Sequence, residues 1–215
     1  NTEATVEYLG ELIGARATCV VAATLQDADG NPLEIAQWYG TNYVGEEALL
    51  AAVAPTLKNK FMQFNGVDTY TSIDDSQLQL VAGLLSAESY EVSFQLAEGV
   101  KTDNWYSFDG NNYTPVADVN GELAKIEPAK VWNDGRAYYY TDVKHLGSEG
   151  TVGEYGIVRN HSYKVNVSAV KGWGTPVYDP NYNVDPIKPT DKETYIAAEI
   201  NVLSWRVVSN DAVLE

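Results

Sequence analysis

Apolar and polar residues alternate along several segments of this chain. The clearest are 89–97, 136–144 and 162–170, where apolar or aromatic residues recur at about every second position. Because successive side chains of a β-strand point to opposite faces, this pattern predicts strands with one face in the core and the other in solvent. Segment 15–25 is apolar almost throughout, which predicts a buried strand instead.

A single segment carries the spacing of a helix. Between residues 45 and 61, apolar residues recur three and four positions apart, which predicts one buried face. Glu46 and Glu47 stand in the first turn, where the positive end of the helix dipole favours acidic groups. Pro55 lies inside the segment and should kink or split the helix. Segment 77–85 fits both a strand and a short helix, so the pattern alone leaves it open.

Strands separated by turns rich in Gly, Asn and Asp, with one helix between them, predict an all-β protein, an antiparallel β-sandwich with one inserted α-helix. The cluster 27–32 (DADGNP) resembles the start of a calcium loop, but Pro32 stands where that loop requires Gly, so we interpret it as a hairpin turn. Segment 173–191 holds four Pro residues and predicts a long connection to the last strand. The length of 215 residues suits one large β domain or two small ones.

The last apolar segment, residues 194–208 (TYIAAEINVLSWRVV), changes phase along its length. Its first part places apolar residues on one face and its second part on the other; the two sets are Ile196, Ala198, Ile200 and Val202, then Leu203, Trp205 and Val207. A shift of one residue turns every side chain to the other face of a strand. The segment therefore contains a bulge near residues 202–203 or serves two different sheets. A terminal strand with an unmatched apolar face predicts pairing with a partner molecule.

The net charge of −16 argues against nucleic-acid and anionic-membrane partners, because both would be repelled. No apolar run approaches the roughly 18 residues needed to span a bilayer, so membrane insertion is not expected. Cys19, the one cysteine, lies in segment 15–25 and is expected to pack as a small core residue. The chain begins at Asn1 rather than Met, which favours a processed or trimmed piece of a longer precursor.

An enzyme needs reactive groups that converge, and the sequence offers few of them. The two histidines, His145 and His161, stand next to predicted strand ends; a two-histidine metal or acid–base site is open, but structural histidines bonded to the backbone are favoured. No phosphate-binding loop, nucleophile elbow or zinc pattern is present. We therefore expect no enzyme, no catalytic residue, no cofactor and no metal. Thirty acidic residues leave a glycosidase with paired carboxylates as a third hypothesis.

Exposed aromatic rings would support a different function, carbohydrate binding. The residues that could stack on sugar rings are Trp105, Tyr106, Tyr113, Trp132, Trp173 and Tyr178. Aromatic residues of β proteins more often lie in the core or in cross-strand pairs. The alternative of a carbohydrate-binding surface module therefore depends on Trp105, Trp132 and Trp173: coplanar exposed rings favour it, and buried rings favour a scaffold.

Residues 138–180 and 194–208 carry a further signal. The first range contains a tyrosine-rich strand that ends in KHLG (144–147), the run GIVRNH (156–161) and the turn GWGTP (172–176); the second contains NVLSWR (201–206). In order and spacing these pieces resemble the C-terminal domain of fimbrillins of the Mfa1 type, the pilus subunits of Bacteroidia. Segment 15–64 is compatible with that domain, less sharply.

The resemblance implies a structural subunit of a fimbria, built from β-sandwich domains with a transthyretin-like, Greek-key topology. In such subunits an Arg-specific protease removes a first strand, and the C-terminal strand of a neighbour fills the groove that is left. The whole chain, 1–215, would then be the C-terminal domain without its N-terminal partner domain, and 192–215 would be the terminal strand and tail. The residues expected in the donated strand are Ile200, Val202, Leu203, Trp205, Val207 and Val208.

The phase change suggests how the segment is divided. Residues 196–202 would stay in their own sandwich while Leu203, Trp205 and Val207 serve the partner. The alternative is that the whole segment pairs within its own domain and the phase change is an ordinary bulge. The expected partners are other subunits of a homopolymer, accessory tip or anchor subunits, and host or bacterial surface ligands for adhesion. The expected location is extracellular, on the outer-membrane surface of a Gram-negative bacterium.

Overall fold

The structure of the protein is a computed structural model. It describes residues 17–82, 90–145, 157, 161–179, 196–203 and 207–208, the last two ranges by their backbone alone. The chain forms two compact units. The unit with residues 1–23, 137–175 and 183–215 is called the terminal unit, because it holds the last strands. The unit with residues 24–136 and 176–182 is called the central unit.

Strands dominate both units. In chain order they are β1 (Thr18–Thr24), β2 (Ile35–Trp38), β3 (Thr41–Val44), β4 (Met62–Phe64), β5 (Tyr70–Ser72), β6 (Leu78–Ala82), β7 (Val92–Leu96), β8 (Trp105–Phe108), β9 (Tyr113–Pro115), β10 (Lys130–Trp132), β11 (Arg136–Asp142), β12 (Ser162–Val170), β13 (Thr175–Pro176), β14 (Ile196–Leu203) and β15 (Val207–Val208). The α-helices are α1 (Glu46–Val53) and α2 (Val119–Leu123), and short 3-10 helices lie at Ala54–Leu57, Asp75–Gln77 and Asn133–Gly135.

The central unit contains three sheets, in the orders β10-β2-β3, β5-β4-β8-β9 and β6-β7. The strand pairs in these sheets are antiparallel. Helix α1 contributes Leu49 and Val53 to the core, and the 3-10 turn that follows adds Leu57, so every fourth residue is buried. Phe94 of β7 and Trp105 of β8 are fully buried in the same cluster. Each such side chain contributes about 1.5–3 kcal/mol by leaving water.

Pro55 splits the predicted helix, as expected. The α-helix ends at Val53, and Pro55, which has no N–H to continue the i→i−4 hydrogen bonds, stands in the first turn of the 3-10 helix Ala54–Leu57. The regular structure ends at Leu57 rather than at residue 61. Segment 77–85, which the sequence left open, forms β6 over Leu78–Ala82, and residues 83–85 lie outside the described residues.

The cluster 27–32 forms the predicted hairpin turn. Gln26 and Pro32 form an antiparallel bridge across it. The Asp27 carboxylate accepts the N–H groups of Asp29 and Asn31, each at 2.9 Å. The hydrogen bonds from Asn31 are the largest cause of a lowered pKa of Asp27, because they favour the charged carboxylate.

The terminal unit contains the sheets β1-β11-β13 and β12-β14-β15. Two expectations for its strands are wrong. The five residues from Ala137 to Thr141 in β11 are all buried, so this strand has no wet face. Strand β1 has no buried residue, although its sequence is apolar, and Cys19 is only half-buried. Because β1 stands at an edge of its sheet and carries small side chains, its apolar character reflects strand formation more than burial.

The predicted fold class, all-β with antiparallel sheets and few helices, is confirmed, because the described residues form mostly strands in antiparallel sheets and their longest helical stretch, from Glu46 to Leu57, has 12 residues. None of the helices in the described part of the chain is both long and apolar enough to cross a bilayer.

Candidate assembly site

The terminal strand β14 is paired along its length with β12. The two strands are antiparallel, and their partners run from Ser162 opposite Leu203 to Val170 opposite Ile196. Strand β15 pairs antiparallel with the end of β14, with Val202 opposite Val208 and Leu203 opposite Val207. Strand β14 is therefore paired with β15 at only two residue pairs, whereas it is paired with β12 along its whole length.

The prediction of a bulge near residues 202–203 is wrong. The irregularity in this sheet lies in β12, between Val167 and Ala169, so that one extra residue of β12 faces β14. At residues 202–203 the pairing with β12 continues in register. The phase change of the sequence instead coincides with the end of β14, after which β15 runs back along it in the same sheet. The second alternative, that the segment serves a sheet of a partner molecule, is not tested by a single chain and stays a prediction.

The expected donor residues fall into three groups. Ile200, Val202 and Leu203 lie in β14, with Val165, Tyr163 and Ser162 of β12 as their partners. Val207 and Val208 form β15. Trp205 lies outside the described residues. Their role as a donated strand stays a prediction.

Strand β12 carries apolar residues that are open to solvent. Val167 is 45% exposed and Val170 is 58% exposed. The alternation of segment 162–170 placed Val167 on the covered face, and this expectation is wrong. An exposed apolar strand paired by main-chain hydrogen bonds is the kind of surface to which a further strand or chain is added. The sequence located β12 correctly but gave no sign that β14 would be its partner, because strand pairing depends on long-range contacts.

Of the three tryptophans on which the carbohydrate-binding alternative depends, two are buried. Trp105 and Trp132 are 1% and 3% exposed, and Trp173 is partly buried. The Trp105 indole N–H donates to the Lys101 carbonyl at 2.8 Å, which anchors it within the central unit. By the criterion set from the sequence, the two buried rings favour a scaffold.

The remaining aromatic candidates are occupied by other groups. Tyr113, 40% exposed, stacks with Tyr70 at a ring separation of 3.6 Å and with Phe108 at 4.6 Å. Tyr106 packs edge-on against Tyr70 at 5.2 Å. Because these rings cover one another, they offer cross-strand packing rather than an open face. The Tyr178 hydroxyl donates to the Leu80 carbonyl at 3.3 Å.

A pair of acids, Glu34 and Glu46, was missed by the sequence analysis. Burial raises the pKa of Glu46, the nearby charge of Glu34 adds to this, and hydrogen bonds from Leu80 and Tyr178 oppose it. The Glu34 carboxylate accepts the Glu46 N–H at 2.8 Å, at the N-terminus of α1, where Gly45 has no side chain to cap the helix. This hydrogen bond gives Glu34 a structural role in capping, whereas a glycosidase needs both carboxyl groups free to act on a sugar.

The two histidines lie close together in the terminal unit. Their ring centres are 5.2 Å apart, and His145 is hydrogen-bonded to the side chain of Tyr163. Within the described residues, no group of three or more His, Cys, Asp or Glu side chains is placed to hold a metal ion.

Residues 130–211 match the family model of the C-terminal part of fimbrillin, the major fimbrial subunit protein type IV. No curated protein and no solved structure matches the chain. The matched range is less than half of the chain, and it includes β12, β14 and β15. It supports a fimbrillin C-terminal domain in a structural subunit that assembles with other subunits into a surface-exposed fimbria. Fimbrillins are pilus subunits and not enzymes, in agreement with the expectation that this chain is not an enzyme.

Proposed function

We propose that this chain is part of an Mfa1-type fimbrial subunit that joins the next subunit by donating the end of its C-terminal strand. The observation that carries the proposal is the fimbrillin match over 130–211, because this range contains the whole of the sheet β12-β14-β15. The assignment of the entire chain to one such domain, with 192–215 as terminal strand and tail, belongs to the same proposal.

The arrangement of the terminal sheet supports donation of its last part. Strand β14 has eight residues and is held by β12, whereas β15 has two residues and is held by two pairs. Releasing β15 breaks few main-chain hydrogen bonds, and a groove in a neighbouring subunit would replace them. Apolar side chains of the released segment would gain about 25 cal/mol for each Å² that they bury there. We therefore assign Leu203, Trp205, Val207 and Val208 to the partner, and Ile200 and Val202 to the junction.

The proposed partners are further copies of the same subunit, with accessory subunits at the tip or the anchor. The fimbria would stand on the outer-membrane surface of a Gram-negative bacterium of the Bacteroidia and support adhesion to host or bacterial surfaces. The net charge of −16 is suited to this location, because an acidic surface keeps exported subunits apart until specific strand exchange joins them.

The proposal is tested by capture of a synthetic strand. A peptide of residues 195–214 is incubated with the full-length, protease-processed subunit, and a peptide with Trp205→Asp serves as the matched control. Capture of the native peptide but not of the variant supports strand donation. Failure to capture either peptide contradicts it and returns the terminal strand to its own sheet.

A deletion in the full-length subunit gives a second, independent test. Removing residues 203–215 should leave the fold intact, because β14 keeps nearly all of its pairs with β12, yet abolish polymer formation in electron micrographs. Val67→Asp is the control, since Val67 is 82% exposed and lies in the central unit. Polymers formed by the truncated subunit would contradict the proposal.

A further inference from the structure

The fold brings together the two histidines of the chain. His145 follows β11 and His161 precedes β12, and 15 residues separate them in sequence. Their ring centres lie 5.2 Å apart and their planes are inclined by 76°. Both side chains are half-buried, which limits their freedom without closing them off from solvent.

Tyr163 fixes the orientation of one of the rings. Its hydroxyl lies 2.9 Å from Nδ1 of His145. In the tautomer in which Nδ1–H donates to the hydroxyl oxygen, Nε2 carries the lone pair and is the nitrogen that can bind a metal ion. Metal-binding histidines in proteins are commonly oriented in this way by a partner on the other ring nitrogen. The His145–Tyr163 pair therefore has the form of an oriented metal ligand.

The spacing of the rings fits a shared ion. A metal such as zinc binds an imidazole nitrogen at about 2 Å, and the ring centre lies about 1 Å beyond that nitrogen, so two imidazoles on a tetrahedral ion have centres about 5 Å apart. The observed separation is 5.2 Å. Edge-to-face packing of two rings gives similar separations, so the hydrogen bond between Tyr163 and His145 is the second observation on which the site rests.

We propose that His145 and His161 form a two-histidine binding site for a late first-row divalent metal ion, with Tyr163 orienting His145. Imidazole favours Cu²⁺, Ni²⁺ and Zn²⁺ over Ca²⁺ and Mg²⁺, which prefer oxygen ligands. Within the described residues no third acid, thiol or imidazole joins the two rings, so these residues supply two protein ligands. The site lies in the terminal unit and does not depend on the proposed function.

The probes are Cu²⁺, Ni²⁺, Zn²⁺ and Ca²⁺, titrated separately into the full chain by calorimetry. For these titrations the chain is produced without a histidine tag, and Cys19→Ser removes the one thiol that would compete for the same ions. We expect Cu²⁺ to bind more tightly than Ni²⁺ or Zn²⁺, and Ca²⁺ to show only the weak binding of an acidic surface. His145→Gln and His161→Gln should each lower the affinity for Zn²⁺ by at least about tenfold, to the level of the double variant.

Tyr163→Phe is the matched variant, because it keeps both imidazoles and removes only the hydroxyl. It should lower the affinity about 10- to 100-fold. Near-UV circular dichroism without metal checks that each variant is folded. In the unsubstituted chain, ring proton signals of both histidines should shift together during the Zn²⁺ titration, a measurement that needs no variant.

Three results would overturn the proposal. Equal Zn²⁺ affinity of the double histidine variant would place the ion elsewhere on the acidic surface. Loss of binding with only one of the two single variants would rule out a shared ion. An unchanged Zn²⁺ affinity of Tyr163→Phe would show that Tyr163 does not orient His145 as a metal ligand.

Discussion

Gly135 illustrates how a single residue sets the path of the chain. Its φ is +69°, a conformation that residues with a side chain rarely adopt, and a Cβ at this position would collide with the Leu25 carbonyl oxygen. Its own carbonyl accepts the Leu25 N–H at 2.7 Å. This close approach leaves room only for glycine.

Gly135→Ala should lower the free energy of unfolding by more than about 2 kcal/mol, because it adds a backbone clash to the strain of a positive φ. The measurement is urea unfolding followed by circular dichroism. Gly40→Ala is the matched control, since its φ is +74° and no atom lies within 4 Å of its Cβ position. Equal losses in the two variants would show that the contact with Leu25 relaxes at little cost.

Tyr178 makes stability depend on pH in the alkaline range. Burial, then the charges of Glu46 and Glu34, raise its pKa to about 12. In the unfolded chain a tyrosine loses its proton near pH 10. As pH rises from 10 to 12 the unfolded state loses this proton first, so the free energy of unfolding falls; below pH 10 the contribution is fully present.

In the variant Tyr178→Phe, the free energy of unfolding should fall less between pH 10 and 12. At neutral pH the variant should be less stable by about 1 kcal/mol, because the hydrogen bond to the Leu80 carbonyl is lost. The difference between variant and unsubstituted chain should shrink as the pH is raised toward 11, which urea unfolding at several pH values measures. A constant difference across this range would mean that the tyrosine ionises equally in both states.

Helix α1 depends on a cap that comes from outside the helix. Gly45 provides no side chain, and the Glu34 carboxylate accepts the Glu46 N–H at 2.8 Å instead. Glu34→Ala should therefore destabilise the protein by about 0.5–2 kcal/mol, as the loss of an N-cap does. Glu34→Gln keeps an acceptor oxygen and should retain most of that stability at pH 7. If both substitutions cost the same, the charge of Glu34 matters and its hydrogen bond does not.

At the level of elements, alternation predicted strands better than it predicted burial. The segment 162–170 is β12 to the residue, and the apolar set Val92, Phe94 and Leu96 of β7 is buried as expected. Ser93 of the same strand was placed in solvent but is fully buried, because β7 is covered on both faces. Alternation reports which side chains share a face, whereas burial depends on what packs against that face.

At the scale of the whole molecule, the proposed division of the terminal strand can be tested with a cross-link. Val165 and Ile200 are directly opposite each other in β12 and β14. Their replacement by cysteine, in a Cys19→Ser background, would lock β14 to its own sheet, since opposed residues lie within reach of a disulfide. The oxidised full-length subunit should still polymerise, because we propose that only the segment after Val202 is donated to the neighbouring subunit. Polymerisation that returns only on reduction would show that all of β14 is exchanged.

The sequence by itself determined the elements whose signal is local. Alternation located β7, β11 and β12, helical spacing located α1, and Pro55 marked its division, because strand formation, helix formation and the effect of proline depend on neighbours in sequence. The turn at 27–32 was equally local, since the Asp27 side chain bonds to residues two and four positions later. The order of the motifs between residues 138 and 208 also sufficed to indicate a fimbrillin.

Only the tertiary structure decided which strands pair and which groups meet. The bulge lies in β12 rather than near Val202, because a bulge is a property of two paired strands and not of one. The burial of β11, the exposure of β1 and the meeting of His145 with His161 follow from long-range packing that alternation along one strand does not record. The fold brings these groups together because burial of apolar surface acts between segments that are distant in sequence, whatever their separation along the chain.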